Sequence, residues 1–374
     1  FINLTYDDIL TADTNYYRET SENSEQTSLI GDKTFEVVIV GGGLSGLATA
    51  KFLTDLGQNN VAIIEQHHVG WGASGRNGGE VIPGTMVAVK RIARTYGLDR
   101  AKELYDLSAL GVNLVISTAH ALDIECDIKQ GYLSVIEPHG FSQDYLEKEI
   151  ETLEKIGNPA TIKNADDVQA MLGSREGRYE GGIYYEKGYH FHPLKYLYGL
   201  KKHLVKNKVS IFEKTPCIQF EEKKDHVTVK TPQGTITAKK IIFCGDSYLG
   251  TLVPFLRRKY VLIRNAIIAT EPIAEEVKLI PSDVCVSELT GKLLFYRKTA
   301  DNRLLLGGGD NIGHHDDLMR NKEQTKDLCQ KAINTLFPQI KDAEITHVWG
   351  GYIGVTPNYL PYVGSQNGRI YYMG

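Results

Sequence analysis

The stretch Val37–Glu65 constrains this chain more than any other. Val37, Val38, Ile39 and Val40 form a β-branched run suited to a strand buried on both faces, and glycines end it abruptly. Gly41, Gly43 and Gly46 fit G-x-G-x-x-G. In that pattern the first glycine makes the tight turn, the second lets backbone approach a pyrophosphate, and the third packs a helix closely on the strand. Leu44, Leu47, Ala48, Phe52, Leu53 and Leu56 then recur at the spacing of one buried helix face, and Gly57 predicts the helix end. A second strand over Val61 to Ile64 delivers Glu65, nineteen positions after Gly46, where a carboxylate can accept hydrogen bonds from a ribose. Strand, glycine turn, helix, strand and acid in this order predict a dinucleotide site. The alternative is an unliganded βαβ unit, since glycines also gather in ordinary turns.

A second glycine-rich loop, Gly70–Gly79 (GWGASGRNGG), follows Glu65 after only four residues. Two loops so close bring more backbone N–H groups to the cofactor, as a long, flat flavin requires. This pair of motifs, with Tyr16 and Tyr17 upstream, resembles the FAD-dependent amine and amino-acid oxidases of the D-amino-acid oxidase (DAO) superfamily, and within it the gamma-glutamylputrescine oxidase branch, which carries a similar G-W-G-A-S-G-R-N-G-G run. The resemblance runs from about Asn15 to the last residue. One departure is the turn Gly57-Gln-Asn-Asn-Val61, a residue longer than the family's usual one, which a surface turn tolerates.

The resemblance implies an α/β fold: a Rossmann-like (glutathione-reductase-type) FAD-binding domain interleaved with an α+β substrate domain built on an antiparallel sheet. The expected division is an N-terminal arm over 1–31, a FAD-binding domain over 32–95, 190–250 and 345–374, and a substrate domain over 96–189 and 251–344. The expected FAD-binding residues are Gly41, Gly43, Leu44, Ser45, Gly46, Glu65 and Gln66 from the first unit, and Gly72, Ala73, Ser74, Arg76, Asn77, Gly78 and Gly79 from the second loop. Ile241 to Gly245 resembles the family's second dinucleotide-domain signature, which adds Cys244 and Gly245, and the resemblance places the backbone of Ile218 against the adenine. Cys244 could be a reactive thiol, but nothing basic adjoins it in sequence, and a buried structural cysteine is the favoured reading.

Length and charge exclude several classes. A chain of 374 residues buries a large core in two domains or one elaborate one. Its net charge of −4, from 42 basic and 46 acidic residues, argues against a nucleic-acid partner. No apolar run is long enough for a membrane span. Five scattered cysteines without C-x-x-C fit a reducing cytoplasm. The arm Phe1–Asp32 is polar and lacks the basic and apolar regions of a secretion signal; composition alone suits a loosely held tail, whereas the resemblance packs Tyr16 and Tyr17 on the body. Because the sequence opens on Phe1, residues are expected before it.

Ala88 to Ala121 predicts one or two packing helices broken near Gly97, and Asp127 to Ile136 a strand or hairpin. Tyr145 to Ile156 reads as a charged helix, and Asn164 caps a short one that places Asp166 and Asp167 in its first turn. Gly181 to Pro193 is a strand and turn entering a helix over Leu194 to Lys206, comparable to the family's glycine-to-His-Pro stretch. His190 and His192 there could pair on a metal, but no further ligand is near, and satisfied histidines are the commoner outcome; no metal is expected. The acid- and histidine-rich Gly309–Asp317 reads as a solvated loop. A hairpin is predicted around Ala300-Asp301-Asn302, with Phe295 and Arg297 on one face and Leu294 and Tyr296 on the other.

No catalytic acid–base pair stands out. Tyr296, Arg297 and His192 are the candidates for the substrate pocket, with Arg297 able to hold a carboxylate in a bidentate pair. The implied activity is oxidation of the C–N bond of a small amine or amino-acid derivative, gamma-glutamylputrescine-like, by hydride transfer to flavin N5 and hydrolysis of the imine. Sarcosine-oxidase relatives place a lysine for oxygen reactivity where Leu304, Leu305 and Leu306 stand here, so oxygen and an electron-acceptor protein both stay open. Trp349 to Gly364 resembles the family's loop near the flavin, with Asn358 replacing its usual acid; no cysteine occurs after Cys329, so FAD is expected to be non-covalent. The resemblance also implies a G-H-G turn over the flavin and a long helix beyond Gly374, where the sequence stops. The rival readings are a nicotinamide-dependent dehydrogenase, a flavin-bearing subunit serving a partner protein, and a non-catalytic FAD-binding protein.

Overall fold

In the computed structural model the described residues are 15–138, 140, 142–250, 252–289, 294–308 and 322–374. The loop Gly309–Asp317, read above as solvated, lies outside them.

Asn15 caps a single helical turn, α1 (Tyr16–Glu19), by accepting from the Tyr17 N–H, and Tyr16 and Tyr17 are buried, so this part of the arm packs on the body. Then come β1 (Lys33–Val40), α2 (Leu44–Asp55), β2 (Val61–Ile64) and β3 (Glu80–Val81). Helices α3 (Val89–Tyr96) and α4 (Leu98–Ala121) are separated by Gly97 at φ +88°, as the sequence predicts. Next are β4 (Lys129–Ile136), α5 (Gln143–Lys155), β5 (Thr161–Asn164) and α6 (Ala165–Leu172), whose Asn164 cap accepts from the Asp167 N–H at 2.8 Å. The chain continues through β6 (Gly181–His190), α7 (Pro193–Lys206), β7 (Ser210–Phe212), β8 (Gln219–Glu222), β9 (Val227–Thr231) and β10 (Gly234–Phe243). It ends with β11 (Val261–Thr270), β12 (Cys285–Glu288), β13 (Phe295–Lys298), β14 (Leu304–Gly307), α8 (Lys322–Leu336), β15 (Ile345–Val355), β16 (Val363–Gln366) and β17 (Ile370–Met373).

These strands form two sheets. The first runs β16-β17-β10-β1-β2-β7, with β8 and β9 attached beside β10, and its central β17-β10-β1-β2-β7 pairs are parallel. All four residues of β2 are buried, as a strand covered on both faces must be. The second runs β15-β11-β14-β13-β12-β4-β6-β3, with β5 beside β6. It is mixed and not purely antiparallel, because β12 pairs with β4 in parallel. β15 hydrogen-bonds to β11 in this second sheet along its whole length, and pairing with the first sheet resumes only at Val363.

Register assigns the two faces of the second sheet. Leu133, Val286, Tyr296, Leu304, Leu306, Ile268 and Val348 share one face, a dry core against α6 and α8. Ser134, Ser287, Phe295, Arg297, Leu305, Ile267 and Trp349 share the other, which faces the glycine loops. Among the described residues no helix is long and apolar enough to cross a membrane.

Candidate functional site

Both glycine loops repeat one local geometry. A Cβ built on Gly46 would sit 2.0 Å from the Gly41 carbonyl oxygen, and one on Gly75 would sit 2.0 Å from that of Gly70. In each case a turn folds so tightly that its fifth following residue can carry no side chain. Gly41, at φ +115°, abuts Cys244, whose carbonyl oxygen would be 2.6 Å from an added Cβ. The end of β1 and the end of β10 therefore pack backbone to backbone.

The two loops are bonded to each other. The Gly70 N–H donates to the Gly42 carbonyl (3.1 Å), and the Leu44 N–H, at the start of α2, donates to Ser74 Oγ (3.0 Å). Gly43 caps α2 without any side chain, and a Cβ there would press on Ser74 Oγ at 2.9 Å. Glu65 accepts from the Gly42 N–H (2.7 Å) and the His67 N–H (3.0 Å), so the acid expected to meet a ribose also ties β2 to the first loop. Burial, opposed by those amides, pushes its carboxyl up.

Gly41, Gly43, Glu65, Gln66, Gly72, Ala73, Ser74, Cys244 and Gly245 line one cleft of about 270 Å³. Ser45 and Gly46 lie in the first turns of α2 beside it. The cleft also takes residues the sequence reading missed: His67, Trp71, Thr215, Cys217, Asp246 and Tyr248. His67 stacks on Trp71 at 3.8 Å between ring centroids. Only Trp71, set between two glycines of the motif, carried a signal in the sequence. Ile218 is not among the residues lining the cleft: its side chain is exposed and its N–H donates to the Lys230 carbonyl, while its neighbours Thr215 and Cys217 reach the cleft. Burial pushes the Cys244 thiol up to about 12, which keeps it protonated and inert. A bare-backbone cradle at a helix N-terminus, with a carboxylate at the end of β2, fits the pyrophosphate and ribose of a dinucleotide.

From there the second loop runs onto the second sheet. Arg76 is buried, donating to the Trp71 carbonyl (2.7 Å) and the Gly350 carbonyl (3.0 Å), while Trp349 Nε1 donates to the Arg76 carbonyl (2.9 Å). Asn77 closes the turn, its Oδ1 accepting from the Gly79 N–H (2.8 Å). Gly78 lies against Phe295, whose ring would be 2.6 Å from an added Cβ. Arg76 and the turn Asn77–Gly79 thus lie between the cleft and the sheet face that carries Phe295 and Arg297.

The three residues expected in a substrate pocket do other work. Arg297 Nε donates to the Gly78 carbonyl, Nη1 to the Lys298 carbonyl, and Nη2 to the Tyr17 hydroxyl and the Phe191 carbonyl. With four of its five N–H donors on backbone and Tyr17, it is a strut between sheet, loop and arm. Tyr296 is fully buried on the opposite face, bonded to the Tyr179 hydroxyl at 2.9 Å. His192 caps α7, its Nδ1 accepting from the Lys195 N–H; burial, then the charge of Lys195, push it down to about 3. His190, the other half of the suggested metal pair, turns its Nε2 to the Asp283 carbonyl at 2.8 Å.

A cavity of about 670 Å³ opens farther along the face that carries Arg297. Its floor is Tyr132 and Ser134 of β4 with Ser287 of β12, and its walls include Tyr105, Tyr145 and the segment Ile82–Val89 that follows Gly79. The sequence marked none of it, because its residues come from six separate stretches.

Comparisons with known proteins agree with this architecture. The chain is 32% identical over 344 residues to the gamma-glutamylputrescine oxidoreductase of Escherichia coli, covering 91% of this chain and 78% of that protein. Its fold matches glycine oxidase from Geobacillus kaustophilus with a TM-score of 0.74 at 18% identity, over 91% of this chain and 88% of that one. It also matches L-amino acid deaminase from Proteus myxofaciens with a TM-score of 0.75 at 15% identity, over 94% and 87% of the two chains. The sequence profile described as DAO, FAD dependent oxidoreductase, matches residues 36–374, and the chain belongs to that family.

Proposed function

We propose that this protein is a FAD-dependent oxidoreductase acting on the C–N bond of a small amine or amino-acid derivative, with a gamma-glutamylputrescine-like molecule as the first substrate to try. The single observation carrying the reading is continuity: two mutually bonded glycine loops form a dinucleotide cleft, and the second leads without interruption to the face of a sheet that holds a ligand-sized cavity. Gly41, Gly43 and the N-terminus of α2 would hold the pyrophosphate, Glu65 a ribose, and Arg76 to Gly79 the flavin end, all without a covalent bond. Bound there, FAD supplies the two-electron acceptor for hydride leaving the carbon beside nitrogen. The chain's own part is to bind and orient the amine and to exclude water; hydrolysis of the released imine completes the reaction.

The family membership and the similarity to the E. coli gamma-glutamylputrescine oxidoreductase support this reading. The expected result is a purified protein with flavin absorption that bleaches under argon on addition of an amine from a panel of gamma-glutamylputrescine, sarcosine, glycine and D-amino acids. Peroxide on readmission of air would identify oxygen as the acceptor; slow reoxidation without it would favour a partner protein. A protein that stays colourless after incubation with FAD sinks the proposal.

A further inference from the structure

Beside the strut Arg297 stands a carboxylate with the opposite circumstances. Glu80 follows Gly79 directly, and its Oε1 is buried without a hydrogen-bond partner among the described residues. Directly across the β3–β6 pair is His190, almost wholly buried, whose Nδ1 is also without a partner. Directly opposed residues of an antiparallel pair point to the same face. Because His190 Nε2 meets a carbonyl oxygen, it carries the proton, and Nδ1 is an acceptor. With Glu80 ionised, one rung of the sheet presents two acceptors and no donor, and buried polar atoms left this way are uncommon enough to require an explanation.

The rung adjoins the large cavity. A Cβ on Gly188, two residues before His190, would lie 2.3 Å from Tyr132 Cβ, so the rung sits behind the cavity's Tyr132 without itself lining the space. Burial first, and farther down the charge of Glu80, push the Tyr132 phenol up to about 12, so the carboxyl and that cavity-lining ring are neighbours. None of the described residues lining the cavity is basic, and four of them, Tyr105, Tyr132, Tyr145 and Tyr185, are tyrosines. Such a space offers hydroxyl donors but no cation to pair with a carboxylate beside the reacting carbon, and it is far larger than glycine requires.

We propose that Glu80, with His190 Nδ1 beside it, anchors the nitrogen of the substrate amine, and that the tyrosine-lined cavity takes the rest of an extended amine bearing no carboxylate next to the reacting carbon. This deepens the amine-oxidising reading above and rests on it. An ammonium has three N–H donors for the two acceptors, and its charge favours the ionised form of a carboxyl that burial otherwise keeps protonated up to about pH 8. The charged or titratable groups around Glu80 are Arg297, Tyr17, Tyr132, Cys285 and His190, and those acting on His190 add Lys129 and Lys298; Arg297 is already engaged, and Lys129 pairs with Asp283 at 3.4 Å.

The test uses holoenzyme and two probes of the same shape that lack a hydrogen on the carbon beside the functional group, tert-butylamine and pivalate. Binding is read from the change in flavin absorption and by calorimetry, so neither turnover nor substrate identity enters. The amine is expected to bind at least about tenfold more tightly than pivalate, the effect of one hydrogen bond to a charged group, and Glu80→Gln is expected to remove that preference. Pivalate binding as tightly as the amine to the wild-type protein overturns the proposal without any variant. So does undiminished amine preference in a Glu80→Gln protein that retains its flavin spectrum. Selective amine binding with no bleaching by any amine overturns the oxidation reading and leaves the anchor standing.

Discussion

Replacing Glu80 by Gln should stabilise the protein, and by an amount that grows with pH. Burial, only partly opposed by the charge of Arg297, raises the Glu80 carboxyl from the ordinary 4.5 to about 8. In the unfolded chain the group loses its proton near 4.5, whereas the folded protein holds it until about 8, so folding must retain a proton that the unfolded chain has released. A folded-state pKa above the unfolded one means that the stability present below pH 4.5 is lost as pH rises toward 8. At about 1.4 kcal/mol per unit, the interval from 6.5 to 8 removes at most about 2 kcal/mol from the wild-type protein. Gln cannot ionise and shows no such loss. His190 and His192 are both pushed down to about 3, mainly by burial, so their contribution is lost as pH falls below their ordinary 6.5. They titrate outside this window and are common to both proteins. Urea unfolding at pH 6.5 and pH 8 checks the argument: the advantage of Glu80→Gln over wild type should widen by about 1–2 kcal/mol between them. A constant advantage, or none at pH 8, refutes the account of Glu80 as a buried, unsatisfied acid.

Gly46→Ala drives a methyl into the Gly41 carbonyl, which backbone on both sides holds in place, so it should lose about 3 kcal/mol or more together with most of the bound flavin, read as absorbance per protein. Gly78→Ala should collide with Phe295, and adding Phe295→Ala should restore part of the loss; a double-mutant cycle by thermal melting is expected to show coupling of about 1–3 kcal/mol, and strict additivity would contradict the contact. Lys201 and Glu213 form a buried pair at 3.0 Å, and Glu213 also accepts from the Gln26 and Val69 N–H groups, joining the arm to the residue before the second loop. Lys201→Met leaves that carboxylate without its cation and should cost about 3–5 kcal/mol, with faster proteolysis of the arm near Asn23, whose Oδ1 accepts from the lysine at 2.6 Å.

What the sequence made legible, and what it hid, follows from how far each feature depends on neighbours along the chain. The βαβ unit could be read because its constraints are local: Gly46 must be glycine on account of Gly41, five residues away, and the same holds for Gly75 and Gly70. Caps and breaks such as Asn164 and Gly97 were legible for the same reason. Alternation placed Phe295 and Arg297 on one face correctly, but it could not say what met that face. A sequence shows that an arginine is present and cannot show that most of its donors are engaged by Gly78, Tyr17 and Phe191, which come from three distant places in the chain, and by the neighbouring Lys298. His192 looked like a site for its imidazole and proved to be a helix cap. Glu80 carried no signal in the sequence, because its distinguishing property is a lack that only the fold shows: its Oε1 is buried and meets no donor among the described residues. Unmet hydrogen-bonding demand of this kind arises where distant strands meet, and residue type alone does not reveal it.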